Sequence, residues 1–237
     1  MLTIINLSKS YNSKKAVSNF SIQVSPGDIY GFIGHNGAGK TTTIKCIVGI
    51  LDFEQGDILI NGKSIKKEPL ACKQTLAYIP DTPAVYEHLT GYQYINFICD
   101  IYRVSQNAMN QRVKKYAAMF EMENFLNNLI SSYSHGMKQK LIIIASLVHN
   151  PKLLILDEPF VGLDPVASIK LKKVMKNLCE EGCAIFFSTH VLEVAEKLCN
   201  KIAIIKCGEL VTCGETQKVL ANSDLESVFM EVINDVK

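Results

Sequence analysis

Residues 34–41 read GHNGAGKT and constrain this chain more than any other feature, because they fit the pattern G-x-x-x-x-G-K-[ST] in full. An apolar run at residues 29–33 precedes the segment, and Ile44, Ile47 and Val48 follow it at helical spacing. The pattern requires this strand–loop–helix context. Consecutive backbone N–H groups at a helix start bind a polyphosphate where no side chain intrudes. The segment therefore predicts a loop that binds the phosphates of a nucleoside triphosphate.

Two side chains of this loop have expected roles of their own. Lys40 would bridge the outer phosphates as a point charge, and the Thr41 hydroxyl would bind Mg²⁺. The alternative is a glycine-rich turn without a ligand, and the lysine and threonine at the correct offset argue against it. The candidate nucleotide-binding residues are Gly34, Asn36, Gly37, Ala38, Gly39, Lys40, Thr41 and Thr42.

Short apolar runs and amphipathic helical patterns alternate on both sides of a helical block. In the first sixty residues the pattern is that of strands, with Asn61-Gly62 as a hairpin turn. Residues from about 87 to 150 have helical spacing, and apolar strands are predicted again at 153–156, 184–187 and 202–205. This order predicts a mostly parallel sheet with helices on both faces.

Composition excludes several classes of protein. With 48% apolar and 20% charged residues in 237, the chain is expected to form one large domain with a packed core. No apolar run approaches the ~20 residues of a membrane helix, and the start does not resemble a secretory signal, so any membrane function needs another polypeptide to span the bilayer. A net charge of +2 does not indicate nucleic-acid binding. The eight cysteines form no C-x-x-C pair and are expected to be reduced, buried thiols of a cytosolic protein.

Residues 153–159, LLILDEP, form a second candidate motif, in which an apolar strand ends in two carboxylates. Asp157 is expected at the carboxyl edge of the sheet, where it can hold the magnesium shell. Glu158 can orient or deprotonate the attacking water. Alone, such a pair is more often an ordinary solvated strand end, but the phosphate loop upstream favours the catalytic interpretation.

Two further segments complete a family pattern. Residues 133–137 read YSHGM and residues 162–164 read GLD. Together with the two motifs above, they resemble the nucleotide-binding subunit of an ATP-binding cassette (ABC) transporter, over nearly the whole chain. The signature position is usually L-S-G-G-Q, and its variant here is similar to those of bacterial exporters with separate ATPase and permease chains, of the Ecs-like and multidrug or peptide types.

The resemblance implies an α/β fold of the P-loop NTPase (RecA-like) class as one cassette domain, 1–237. A parallel sheet core with an antiparallel N-terminal β subdomain would occupy 1–83 and 149–215. An inserted α-helical subdomain would cover 84–148, and a C-terminal helical tail 216–237.

The resemblance also implies that the ATP site is shared between two chains. Ser134 and Gly136 match the helix start that caps the γ-phosphate held by the other subunit, which would explain why no arginine finger is evident. An ordinary N-cap is the other interpretation of Ser134. Asp164 matches the loop that crosses the dimer interface, although a cap for the helix beginning at Pro165 is equally plausible.

Three more positions take roles from the same resemblance. Tyr11 matches the aromatic residue that stacks on adenine, and is otherwise a half-buried strand residue. His190 matches the histidine that contacts the γ-phosphate and braces Glu158, and is otherwise a satisfied polar group. Asp81 stands where the family usually has glutamine; the shorter, charged side chain can meet Mg²⁺ directly or through water, and a solvated loop residue is the alternative. The implied catalytic set is Glu158, His190, Lys40 and Asp81, and the implied metal set is Thr41, Asp81 and Asp157.

The implied function is that of an Mg²⁺-dependent ATPase on the cytoplasmic face of the membrane. Its partners would be a second nucleotide-binding subunit, identical or related, and an integral-membrane permease, with no nucleic acid. Export of peptides, drugs or other hydrophobic or amphipathic compounds is favoured over import by the resemblance. The helical block would face the permease, with Tyr86, Tyr92, Tyr94 and Phe97 as plausible contacts.

Two alternatives remain at this point. One is a soluble cassette ATPase acting on the ribosome or on DNA, but such proteins carry two cassettes or long coiled coils between their motifs. Fewer than a hundred residues separate Lys40 from Ser134, with no heptad tract. The other is a regulatory subunit that binds ATP without hydrolysing it, and the intact Lys40, Asp157, Glu158 and His190 argue against it.

Overall fold

The computed structural model describes residues 1–221 and 223–234. The described strands are β1 (Leu2–Tyr11), β2 (Lys14–Val24), β3 (Ile29–Ile33), β4 (Gln55–Ile60), β5 (Lys63–Ser64), β6 (Leu76–Ile79), β7 (Leu153–Leu156), β8 (Ala184–Thr189), β9 (Lys201–Lys206) and β10 (Glu209–Glu215). The described helices are α1 (Lys40–Ile47), α2 (Pro69–Thr75), α3 (Gly91–Ile101), α4 (Gln106–Phe120), α5 (His135–Val148), α6 (Pro165–Glu180), α7 (Leu192–Leu198), α8 (Thr216–Leu220) and α9 (Leu225–Asn234). Two 3₁₀ turns, Glu123–Phe125 and Ile130–Ser132, lie between α4 and α5.

All ten strands join in one mixed sheet, in the order β5-β4-β1-β2-β10-β9-β3-β8-β7-β6. The last five strands in this order are mutually parallel. Strands β3, β7 and β8 are buried along their whole length, as expected of parallel strands covered on both faces. The predicted parallel core of a P-loop fold is therefore confirmed, and the carboxyl ends of β3, β7 and β8 meet at one edge.

The antiparallel part extends this core. Strand β1 pairs antiparallel with β2 and β4, and β9 pairs antiparallel with β10. A short parallel contact at Glu209 and Ser18 joins β10 to β2. The predicted hairpin is present: Asn61 and Gly62 have φ of 51° and 78°, and two positive angles are what the tight β4–β5 turn requires.

Helices cover both faces, and two apolar cores result. Helix α1 packs with the antiparallel strands in one core. Helices α3 to α6 and the other face of the parallel strands form the second core. A polar residue begins each of helices α3 to α6: Thr90 starts α3 with a capping box, Ser105 caps α4, Ser134 caps α5 and Asp164 caps α6. Helix α4 was not singled out from the sequence.

The predicted final helix corresponds to α9. Leu225 is buried, and Val228 and Phe229 pack against the second core. The spacing of the sequence also predicts Val232 and Ile233 on this apolar face, and their side chains lie outside what the structure describes.

All eight cysteines are free thiols, and Cys207 and Cys213 are exposed, which corrects the expectation of buried thiols at these two positions. Within residues 1–221 and 223–234, no helix is long and apolar enough to cross a membrane.

Candidate nucleotide-binding site

The predicted phosphate loop runs from the end of β3 to the start of α1. Gly39 is the N-cap of α1 with φ of 108°, and a Cβ on it would lie 2.4 Å from the carbonyl oxygen of Ala16. A Cβ on Gly34 would lie 2.7 Å from the carbonyl oxygen of Ile205. Neither position has room for a Cβ, so both require glycine. Gly39 also needs it because its backbone is left-handed.

Lys40 is folded back into this loop and is only 6% exposed. Its Nζ donates hydrogen bonds to the carbonyl oxygens of Gly34, at 2.6 Å, and His35, at 3.2 Å. The same ammonium lies 3.4 Å from Oε1 of Glu158. The cation is therefore held inside the loop by carbonyl groups and one carboxylate.

Asp157 follows directly on β7 and is completely buried. Its Oδ1 accepts a 2.5 Å hydrogen bond from the Ser188 hydroxyl, whose oxygen in turn accepts one from the Glu158 amide at 2.9 Å. Its Oδ2 has no hydrogen-bond partner among the described residues. Burial raises the pKa of the Asp157 carboxyl, although the nearby Ser188 and Thr41 hydroxyls act to lower it. A buried carboxylate with an unpartnered oxygen is suited to a cation.

Glu158 adopts φ of 47°, in the left-handed region that non-glycine residues occupy at a cost. This turn directs its carboxylate back towards the phosphate loop, where Oε1 faces Lys40. Its Oε2 lies 3.0 Å from Nδ1 of His190, which is about half exposed at the end of β8. The predicted contact between these two side chains is present in the structure.

A cavity of about 250 Å³ is lined by half of the predicted site residues. Asp81, at the end of β6, and Glu158 face the phosphate loop across it. A second cavity of about 490 Å³ adjoins the first and is lined by Tyr11 at the β1–β2 turn. The loop residues that line the first cavity are His35, Asn36, Gly37, Gly39, Lys40, Thr41 and Thr42.

The signature residues lie elsewhere and line neither cavity. The Ser134 oxygen accepts a 3.3 Å hydrogen bond from the Met137 amide, and Ser134 is exposed. A Cβ on Gly136 would lie 3.3 Å from the Gly162 carbonyl oxygen, so the helix start packs closely on the loop that follows Glu158. Asp164 caps α6 through the Ala167 amide at 2.7 Å. The capping alternatives for Ser134 and Asp164 are thus observed, and the role across a dimer stays a prediction.

Sequence reasoning missed several residues of this region. Ser188 was passed over because a serine at the end of an apolar strand carries no signal by itself, and only the pairing of β7 with β8 brings it to Asp157. Lys14, Lys15 and Cys207 line the outer cavity beside Tyr11. None of these three residues belongs to a recognised motif, so they were not predicted.

A separate groove of about 710 Å³ lies between the parallel core and the helical segment. Asp81 lines both this groove and the phosphate cavity. Beside the groove, the Tyr86 ring packs against two others, with its centroid 5.6 Å from the Phe97 ring centroid and 6.4 Å from the Tyr94 ring centroid. Tyr92 does not join them, since its hydroxyl donates to Asn110 of α4. Three of the four predicted aromatic contacts therefore form one cluster.

The fold and this site define a P-loop ATPase of the cassette type, and comparisons with known proteins give the family. A family model described as ABC transporter matches residues 17–161. The chain is 33% identical to the ABC-type transporter ATP-binding protein EcsA of Bacillus subtilis, over 99% of this chain and 97% of that one. It is 29% identical to the lipopolysaccharide export system ATP-binding protein LptB of Haemophilus influenzae, over 97% of each.

A solved structure described as the ATP-binding subunit of an ABC transporter matches with a TM-score of 0.95 and 32% identity, covering 99% of this chain and all of the other. The chain belongs to the ABC transporter family, and it is an ATP-binding subunit that hydrolyses ATP.

Proposed function

We propose that this subunit closes around ATP together with a second nucleotide-binding subunit and thereby powers a separate membrane permease that exports its substrate. One observation carries the proposal. Ser134 and Gly136 stand at an exposed helix start that lines neither cavity of its own chain. Amide groups at a helix start are built to bind phosphate, so a second copy is the natural source of their ligand.

The phosphates would lie in the cavity of the loop, on the amide groups around Gly37 and Gly39. Lys40 would leave its carbonyl partners to bridge the outer phosphates. Tyr11 would stack on the base in the adjoining cavity, because a half-exposed aromatic ring presents one face there.

The residues of this site fit Mg²⁺. The unpartnered Oδ2 of Asp157, the Thr41 hydroxyl and the Asp81 carboxylate are hard oxygen donors, the kind this ion prefers. Mg²⁺ would neutralise charge on the phosphate oxygens. Asp81 is shorter than the glutamine usual in the family, so binding through a water suits it as well as direct contact.

Glu158 would accept a proton from the attacking water, and His190 would hold its carboxylate in place and contact the γ-phosphate. The Ser188 hydroxyl positions both acidic residues, because it donates to the Asp157 carboxylate and accepts from the Glu158 amide. Ser134 and Gly136 of the other subunit would close the site, with Asp164 in the loop that crosses the interface. ATP then holds the two subunits together, and hydrolysis releases them.

The groove and the aromatic cluster are the proposed surface for the permease. Residues of the helical segment 84–148 and of the core segments 1–83 and 149–215 form this surface. No described residue of the tail 216–237 lines the groove. Asp81 borders both groove and nucleotide cavity, so the proposed docking site adjoins the ATP site. The subunit would work at the cytoplasmic face of the membrane. The name of LptB includes lipopolysaccharide export, which supports an exporter of hydrophobic or amphipathic compounds.

Purification of the tagged subunit from membranes tests this proposal, with identification of the integral-membrane chain that accompanies it. Reconstituted with that chain, the subunit should hydrolyse ATP faster than alone. The variant Phe97→Ala should lose this stimulation and keep its basal activity. Phe125→Ala, another exposed aromatic of the helical segment but outside the cluster, is the matched control. Recovery of no membrane chain would refute the permease role, and equal stimulation of the two variants by a recovered chain would refute the proposed docking surface.

A further inference from the structure

Glu87 contacts the chain on both sides of the signature residues 133–137. Its backbone carbonyl accepts a 3.0 Å hydrogen bond from the amide of Ser131, just before these residues. Its carboxylate makes an ion pair with Lys138, just after them, across 51 positions of sequence. A single residue of the loop between β6 and α3 therefore holds both the segment that leads into α5 and the first turn of that helix.

The position of Lys138 is not explained by the stability of α5 itself. Lys138 is the fourth residue of the helix, and no acidic residue stands in the first turn. A cation at this end is unfavourable, because the helix dipole is already positive there. The Lys138 side chain is 21% exposed, so its ion pair with Glu87 is partly shielded from solvent. The contact that gives this lysine a role is therefore the one with Glu87.

The start of α5 needs such a constraint from outside the helix. The hydrogen bond from the Met137 amide to the Ser134 oxygen is 3.3 Å long, more than is usual for this kind of bond. Amide groups bind a phosphate well only where they are held in place beforehand. Lys140, which pairs with Asp164 at 2.8 Å, fixes the helix to the core segment, and Glu87 fixes it to the helical segment.

We infer that the Glu87–Lys138 ion pair is a positioning contact for ATP hydrolysis, because it fixes the start of α5 where this helix binds the ATP held by the other subunit. The inference rests on the two-subunit site proposed above. Neither residue lines a nucleotide cavity of its own chain. The pair should therefore affect the closing of two subunits around ATP and not the binding of ATP to one subunit.

ATP-dependent dimerisation of the Glu158→Gln protein, the parent in this test, measures the effect by analytical ultracentrifugation with ATP and Mg²⁺. Adding Glu87→Gln or Lys138→Gln should raise the dimer dissociation constant about fivefold, the size expected when an ion pair of this exposure is lost. Lys138→Arg keeps the cation and should dimerise as the parent does. Binding of labelled ATP, measured at protein concentrations below dimer formation, should be the same in all four proteins.

The Glu87→Gln variant separates positioning from a direct contact of Lys138 with phosphate. It leaves the ammonium of Lys138 without its carboxylate, so a direct phosphate contact would make the dimer tighter, whereas loss of positioning makes it weaker. A tighter dimer in Glu87→Gln would overturn the inference, and so would equal dimer affinity in the parent and both glutamine variants. A parent that forms no dimer with ATP would instead contradict the two-subunit site, and this inference with it.

A second ion pair supplies the matched control. Glu215 is 56% exposed, close to the 59% of Glu87, and pairs with Lys218 at 2.9 Å, outside the groove and both nucleotide cavities. Glu215→Gln should leave the dimer affinity unchanged. Urea unfolding without nucleotide should give the same midpoint for the parent and for Glu87→Gln, because exposed ion pairs contribute little to stability. A fall in the midpoint that accompanies the loss of dimer would show a merely structural role and overturn the inference.

Discussion

The ammonium of Lys40 lies 3.4 Å from Oε1 of Glu158, and both side chains are largely buried. The cation expected to bind the outer phosphates is therefore paired with the expected general base. A triphosphate in the loop competes with Glu158 for Lys40, so the ion pair must break before the carboxylate can act on water. The Lys40–Glu158 ion pair therefore links the binding of ATP to the release of the Glu158 carboxylate for catalysis.

We predict that Glu158→Gln retains ATP binding and lowers turnover at least about a hundredfold, because a neutral amide cannot accept the proton of the attacking water. The loss of the negative charge also frees Lys40, so affinity for ATP should be equal or higher. Phosphate release and equilibrium binding of labelled ATP measure the two effects. Glu180→Gln, at the far end of α6, is the control, and unchanged phosphate release in Glu158→Gln would refute its role.

Lys40→Ala should lose ATP binding, because the loop keeps its amide groups but loses its only buried cation. Lys40→Arg should also bind ATP weakly, since Lys40 is only 6% exposed and the space around it does not fit the larger guanidinium. Equilibrium binding of labelled nucleotide checks both variants. If wild type and Lys40→Ala retain the nucleotide equally, the loop assignment is wrong.

Ser188→Ala should reduce both stability and turnover. It removes the 2.5 Å hydrogen bond to Asp157 Oδ1 and leaves the Glu158 amide unpaired, at an expected cost of about 1–3 kcal/mol in the free energy of unfolding. Urea unfolding and kcat measure the two effects. Ser64→Ala is a matched control, because Ser64 also bonds an aspartate, Asp57 at 2.7 Å, far from the nucleotide. It should lose stability only, and an equal loss of kcat there would contradict a positioning role for Ser188.

Stability should depend on His149 at mildly acidic pH. Its ring stacks on Tyr102 at 3.7 Å, and burial lowers the pKa of His149 from 6.5 to about 4. Between these values the unfolded chain binds the proton and the folded one does not. Stability is therefore lost as the pH falls below 6.5 towards 4, by up to about 1.4 kcal/mol per pH unit.

The variant His149→Phe keeps an aromatic ring for this stack and cannot be protonated. Urea unfolding should be measured from pH 7 to pH 5. The free energy of unfolding should fall less with pH in the variant than in wild type. Parallel curves for the two proteins would show that His149 does not titrate in this way.

The phosphate loop and the ends of β3 and β7 could be predicted because their signals are local. The pattern GHNGAGKT and the run LLILDEP each carry strand, turn and polar residues within a few positions. Helix α4 also has a local signal, since Ser105 caps it and Met109, Val113 and Phe120 follow helical spacing, so it too could have been predicted.

The parts of the site that sequence reasoning missed depend on contacts between distant segments. Ser188 gains its meaning from the register of β8 beside β7, and Lys14 and Cys207 meet only across the outer cavity. A resemblance to a family indicates only the positions that match the motifs quoted for it, and Ser188, Lys14 and Cys207 are not among them. Tyr92 was grouped with Tyr86 as a contact aromatic of the helical block, although the Tyr92 hydroxyl donates to Asn110 and the Tyr86 ring packs against Phe97.

The central claim is that each ATP is held by two subunits, by the loop of one and the helix start of the other. A crystal structure of Glu158→Gln grown with ATP tests it most directly. The account predicts Ser134 Oγ within about 3 Å of a γ-phosphate whose other oxygens contact Lys40 of the second copy. ATP enclosed by one chain alone, with Ser134 of both copies distant from every nucleotide, would contradict it.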